Sequence, residues 1–144
     1  MGIEIESDFK LDGLECVVVG TSMGHRCGYV IIRDKEKYGK LTKKQLKELD
    51  CHGGVTYYDN DNHPLPNPDN NIVVGFDCGH FDDSPDINII IKLGTREERY
   101  VATRMANACI GGHVWTKEEV EEELKSMCDQ IKELVGERNE RRGD

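Results

Sequence analysis

The sequence predicts an α+β fold, with an antiparallel β-sheet in the N-terminal two-thirds and one or two packed C-terminal helices. Three observations point there. Runs rich in β-branched residues, bounded by glycine, asparagine and proline, fill the first half of the chain. Thr-x-x-Glu helix-start signals and an apolar stripe of helical period occur only in the last third. Strands first and helices last, rather than alternating, separates this pattern from a parallel α/β sheet. The 144 residues are enough for one domain, 1–144, with a core that needs no staples.

The elements follow in order. "LECVVVG" (14–20) and "CGYVIIR" (27–33) read as two strands joined by a glycine-flanked turn, "TSMGHR", that carries His25 and Arg26. Thr42 caps a short helix whose Leu46 and Leu49 face inward. "CHGGVTYY" (51–58) reads as a strand opened by two glycines, and the polar, proline-rich 59–71 as a loop. "IVVGFD" (72–77) is a further buried strand. "INIIIKL" (87–93) reads equally as strand or as helix.

Thr95 with Glu98 forms a capping box, and Gly111-Gly112 stops the helix that follows. Thr116 with Glu119 opens the last helix, with Val120, Leu124, Met127, Ile131 and Leu134 in a heptad-like stripe. That stripe suits a sheet or a second copy of the helix, so a homo-oligomer through the C-terminal helix is expected.

Charge and cysteine usage bound the function. A net charge of −9 and no basic stripe argue against a nucleic-acid polymer as partner. No run of eighteen apolar residues is present, so no membrane span is expected. "MGIEIESDFK" is acidic and lacks the apolar core of a secretory signal, which with six unframed cysteines leads to a cytoplasmic protein with free thiols.

The chemistry concentrates where strands end. "GFDCGHF" (75–81) sets Asp77, Cys78, His80 and Phe81 within seven positions. Histidine and cysteine also neighbour each other at His25/Cys27, Cys51/His52 and Cys109/His113. No Cys-x-x-Cys or His-Glu-x-x-His spacing accompanies them, so no metal and no other cofactor is expected. Two catalytic alternatives stand beside this. One is a small metal-dependent hydrolase using His52, Asp77 and His80; the other is a nucleophile at Cys51 or Cys78 with a histidine base. Ligand binding draws on different residues. Phe81 offers a ring in an acidic loop, a base-stacking surface. Arg26 joins Arg96, Arg99 and Arg104 of "TREERYVATRM" as forks for phosphate.

Taken together, "GHRCGYV" (24–30), "HGGVTY" (52–57) and "GFDCGH" (75–80) resemble three blocks of a small-protein family of phages and prophages, the Thoeris anti-defence family of signal-sequestering sponges. The resemblance runs from about Cys16 to His80 and is looser beyond. It implies a non-catalytic protein of the host-cell cytoplasm during infection. Such a protein would bind a small cyclic nucleotide-type signal, cyclic ADP-ribose isomers or cyclic oligonucleotides, in pockets at subunit junctions. Arg26, Phe81, Asn88 and Arg104 would contact the ligand. His25, His52, Gly53, Gly54, Asp77 and His80 would shape the supporting loops.

Overall fold

A computed structural model describes residues 2–58, 71–80, 82–108 and 112–136. Five strands make one antiparallel sheet: β1 (Ile3–Leu11), β2 (Leu14–Thr21), β3 (Arg26–Ile32), β4 (Tyr57–Tyr58) and β5 (Ile72–Asp77), in the order β1-β2-β3-β5-β4. Helices α1 (Lys35–Tyr38) and α2 (Lys43–Lys47) follow β3. After β5 come a two-residue strand β6 (Asp83–Ser84), then α3 (Ile87–Leu93), α4 (Arg96–Ala108), β7 (His113–Val114) and α5 (Lys117–Leu134). β6 and β7 pair in parallel, Asp83 with His113 and Ser84 with Val114. The expected α+β architecture is the one observed.

Strands β2, β3 and β5 are apolar at nearly every position because both of their faces are buried. One face carries Leu14, Cys16, Val18, Val30, Ile32, Val74 and Phe76 against Val120, Leu124, Met127, Cys128 and Ile131 of α5. The other carries Val17, Val19, Cys27, Tyr29, Ile31 and Val73, with Tyr57 at its margin. Gly28 lets helix and sheet approach. A Cβ there would stand 2.8 Å from the Phe76 ring and 3.0 Å from Val120 Cγ1.

The capping signals set the helix starts. Thr42 and Gln45 exchange reciprocal bonds ahead of α2, and Thr116 and Glu119 do so ahead of α5. Thr95 and Glu98 repeat the pattern at α4. Residues 87–93, ambiguous by pattern, are helical, with Asp86 as N-cap.

Two expectations change, and of the two partners open to the α5 stripe the sheet takes it. The first strand is β1, not β2: it turns into β2 through Asp12 and Gly13, both at positive φ (52° and 82°), as in a type I′ hairpin. The strand expected over 51–58 shrinks to Tyr57–Tyr58, because Gly53 and Gly54 sit at φ 70° and 80° and break the extended chain before it. The heptad stripe of α5 lies on the chain's own sheet, with Val120, Leu124, Met127 and Ile131 fully buried. Self-association through α5 is therefore left with its outer surface, where Leu134 is exposed.

Burying these side chains stabilises the fold by roughly 1.5–3 kcal/mol each. Leu124→Ala is expected to lower the unfolding free energy by about 2–5 kcal/mol in urea denaturation. A loss below about 1 kcal/mol would contradict the packing of α5 on the sheet.

Candidate functional site

The chemistry-bearing loops meet at one end of the sheet. β3 begins and β5 ends there, with Cys27 opposite Asp77 and the Cys78 amide donating to the Arg26 carbonyl at 2.8 Å. This sets the turn before β3, with His25, beside the loop after β5, with His80. The turn after α2 brings His52, whose backbone N–H donates to Glu123 Oε1 of α5 at 2.7 Å. The β6–β7 bridge supplies Asp83 and holds Trp115 nearby.

Asp83 is the hub. Its side chain is buried, and its carboxylate lies 2.9 and 2.8 Å from His52 Nε2 while accepting the His80 backbone N–H at 2.9 Å. The His52 and His80 rings meet edge to face at 5.4 Å, and Trp115 stacks on the other ring partner, His52, at 4.1 Å. The ligand atoms of His52, His80 and Asp83 all lie within 4.8 Å of one another.

Two imidazole nitrogens in this cluster, His80 Nε2 and His25 Nδ1, are buried without a hydrogen-bond partner. Such atoms are uncommon in folded proteins and often mark a bound ion or water. The nearest charge to His80 Nε2 is Asp77 Oδ1 at 3.6 Å, beyond hydrogen-bond range, and that oxygen already accepts the Gly79 N–H. Burial lowers the His25 pKa, against the opposing backbone of Cys78 and the charges of Asp83 and Asp77.

The thiols are not poised as nucleophiles. Burial pushes Cys51 up to about 12 and raises Cys78 further, so both are protonated at neutral pH.

Of the described residues expected to bind a ligand, Arg26 and Asn88 line one cavity and Arg104 lies apart from it. The Arg26 guanidinium is buried and engaged by Glu6 (2.7 and 3.2 Å), Asp86 (3.1 Å) and the Trp115 carbonyl (2.8 Å). It shares with the exposed Asn88 a cavity of about 280 Å³ between β1 and α3, whose charged walls also include Glu4, Glu6, Asp86 and Lys92. Arg104 lies elsewhere, exposed on α4, and Phe81 lies outside the described residues. His52 and His80 do converge, with Asp77 beside His80. Asp83 and Trp115 complete the group and carried no such reading in the sequence. The one available signal was Asp83's place three residues after His80.

No family model, curated protein or solved structure matches the chain.

Gly53 shapes this cluster directly. A Cβ there would stand 2.1 Å from His80 Nε2, whereas one at Gly54 would meet nothing within 4 Å. Both residues have positive φ, so an alanine at either strains the backbone by roughly 1–2 kcal/mol. Gly53→Ala is expected to lower the thermal midpoint more than Gly54→Ala and to shift the His80 ring resonances. Equal effects of the two variants would mean that His80 does not lie over Gly53.

Proposed function

We propose that the protein is a small metal-dependent hydrolase whose divalent transition-metal ion is held by His52, His80 and Asp83. The observation that carries this reading is the convergence of ligand atoms of His52, His80 and Asp83 within 4.8 Å, beside a His80 Nε2 that is buried without a partner. Two imidazoles and a carboxylate form a ligand set of the borderline class that zinc and its neighbours accept. A cation bonding at about 2.0–2.2 Å in a tetrahedral arrangement separates neighbouring ligand atoms by about 3.3 Å. The His52–Asp83 contact, now 2.8–2.9 Å, would open by about half an ångström, and the His80 nitrogen, within 4.8 Å of both, would close toward them.

Three protein ligands would leave a position for water, and a bound cation would lower that water's pKa toward about 7, the chemistry a hydrolytic nucleophile needs. The chain's own groups surround it. Asp77 lies beside His80 as a further carboxylate, Trp115 fixes the His52 ring by stacking, and Glu123 anchors the His52 backbone. This reading keeps His52, Asp77 and His80 of the sequence-based hydrolase. It moves the carboxylate ligand from Asp77 to Asp83.

Zinc, manganese and ferrous ions titrated into the chelator-treated protein are expected to bind one per chain in calorimetry. Trp115, the one tryptophan, should report the same event by fluorescence because it stacks on His52. His80→Ala should abolish stoichiometric binding while leaving the fold intact. The loaded protein should hydrolyse members of a panel of ester, amide and phosphoester substrates, and chelation should stop it. Absence of stoichiometric binding by the wild type would overturn the metal centre. Binding without turnover would overturn only the hydrolase.

A second reading, sequestration of a cyclic nucleotide-type signal without cleavage, draws support from α4. There the Arg104 guanidinium lies 5.6 Å from the centre of the well-exposed Tyr100 ring, a cation beside an aromatic platform that suits a base linked to phosphate. Arg96 and Arg99 are exposed on the same helix. A sponge of this kind would remove cyclic ADP-ribose isomers from solution and return them unchanged on heating, acting in the host cytoplasm. Arg104→Ala should then weaken binding at least tenfold, about 1.4 kcal/mol. Failure to deplete any such signal would exclude this reading.

A further inference from the structure

Beyond the metal centre, two sulfurs meet deep in the core. We propose that Cys16 and Cys128 form a reversible disulfide that clips α5 to the centre of the sheet. Cys16 points from the middle of β2 and Cys128 from the middle of α5, and their Sγ atoms stand 3.3 Å apart. Both residues are fully buried, in the same apolar cluster. A disulfide bond is about 2.05 Å long, so closure needs about 1.3 Å of movement shared between two side chains.

The pair is also chemically asymmetric. The contact between the two sulfurs, in which either can donate, holds the Cys128 pKa below its ordinary value, with the Lys132 ammonium acting in the same direction. The same contact, with burial, raises Cys16. The Lys132 ammonium near Cys128 favours the thiolate on that side.

The reaction takes a peroxide as oxidant. Cys128 thiolate attacks one peroxide oxygen, the O–O bond breaks, and with one proton the products are a sulfenic acid and water. The Cys16 sulfur then attacks the sulfenic sulfur, the S–O bond breaks, and hydroxide leaves with the thiol proton as a second water. The two thiols are oxidised by two electrons, and one peroxide is reduced to two waters. A thiol reductant reverses the bond by exchange.

The consequence reaches past the core. The two cysteines are 112 positions apart, so the bond closes most of the chain into one loop. α5 also carries Glu123, which holds the His52 backbone, so the clip fixes the helix from which one edge of the histidine cluster hangs.

The full chain, purified reduced and treated with hydrogen peroxide, should be quenched with an alkylating agent under denaturing conditions and weighed intact. The expected species is about 2 Da lighter than the reduced chain before alkylation and resists alkylation at two thiols. Peptide mapping should join the segments containing Cys16 and Cys128. The oxidised form should melt about 5 °C or more above the reduced form, and dithiothreitol should return both mass and midpoint. Cys128→Ser should lose the mass change and the shift together. If that variant melts early, the wild-type peptide map decides. No linked species, a bond mapped to other cysteines, or an oxidised form that melts below the reduced one would overturn the proposal.

Discussion

The buried guanidinium of Arg26 joins four parts of the chain that are distant in sequence. It sits at the start of β3, binds both carboxylate oxygens of Glu6 in β1, reaches Asp86 at the N-cap of α3, and donates to the Trp115 carbonyl just before α5. A planar fork with several donors can satisfy partners in several directions at once, which an ammonium does less well. Removing one member of such a buried ion pair typically costs about 3–5 kcal/mol, because the partners are left as uncompensated charges. Its place in the fold also explains why a residue with the chemistry of a phosphate ligand is not presented as one.

The histidine cluster depends on that anchor. Trp115 is held through its carbonyl by Arg26, and its ring lies against His52. Asp83 is placed by the β6–β7 bridge and by its own exchange of backbone bonds with His80. A buried carboxylate must find donors, and Asp83 finds them in one imidazole and one amide. The site is therefore built from short segments, none longer than a turn, hung on a sheet whose strands end together. Its ligand atoms come from two segments far apart in the sequence, His52 in one and His80 with Asp83 in the other.

Beneath the site, the sheet is covered closely by α5, and the fit is made by absent as well as present side chains. Gly28 leaves room for Phe76 and Val120, and Cys16 and Cys128 sit where a larger pair would force helix and strand apart. α4 contrasts with this: among its described side chains Ala102 is buried while Tyr100, Val101 and Met105 are exposed, so its conformation leans on its Thr95–Glu98 cap. An acidic, otherwise well-packed chain thus keeps an apolar and cationic face on one helix. No helix among the described residues is long and apolar enough to cross a membrane.

Much of the framework was legible in the sequence because it is local. The runs at 14–20, 27–33 and 72–77 are strands because β-branched residues buried on both faces form continuous apolar stretches. The caps at Thr42, Thr95 and Thr116 start helices because each bond spans only three residues. β1 had its own local mark in Asp12-Gly13, but its exposed isoleucines and inward glutamates invert the usual alternation and hide it. The direction in which α5's stripe faces is not local, since the same heptad pattern serves a sheet or a second helix. The site is the least local of all. His52, His80 and Asp83 have no diagnostic spacing, and Asp77, within the same motif as His80, accepts from Gly79 instead of joining His52. Asp83 meets His80 within one local turn, but only the tertiary structure brings His52 to that pair, because a ligand set is defined by distances in space that chain spacing across separate turns does not determine.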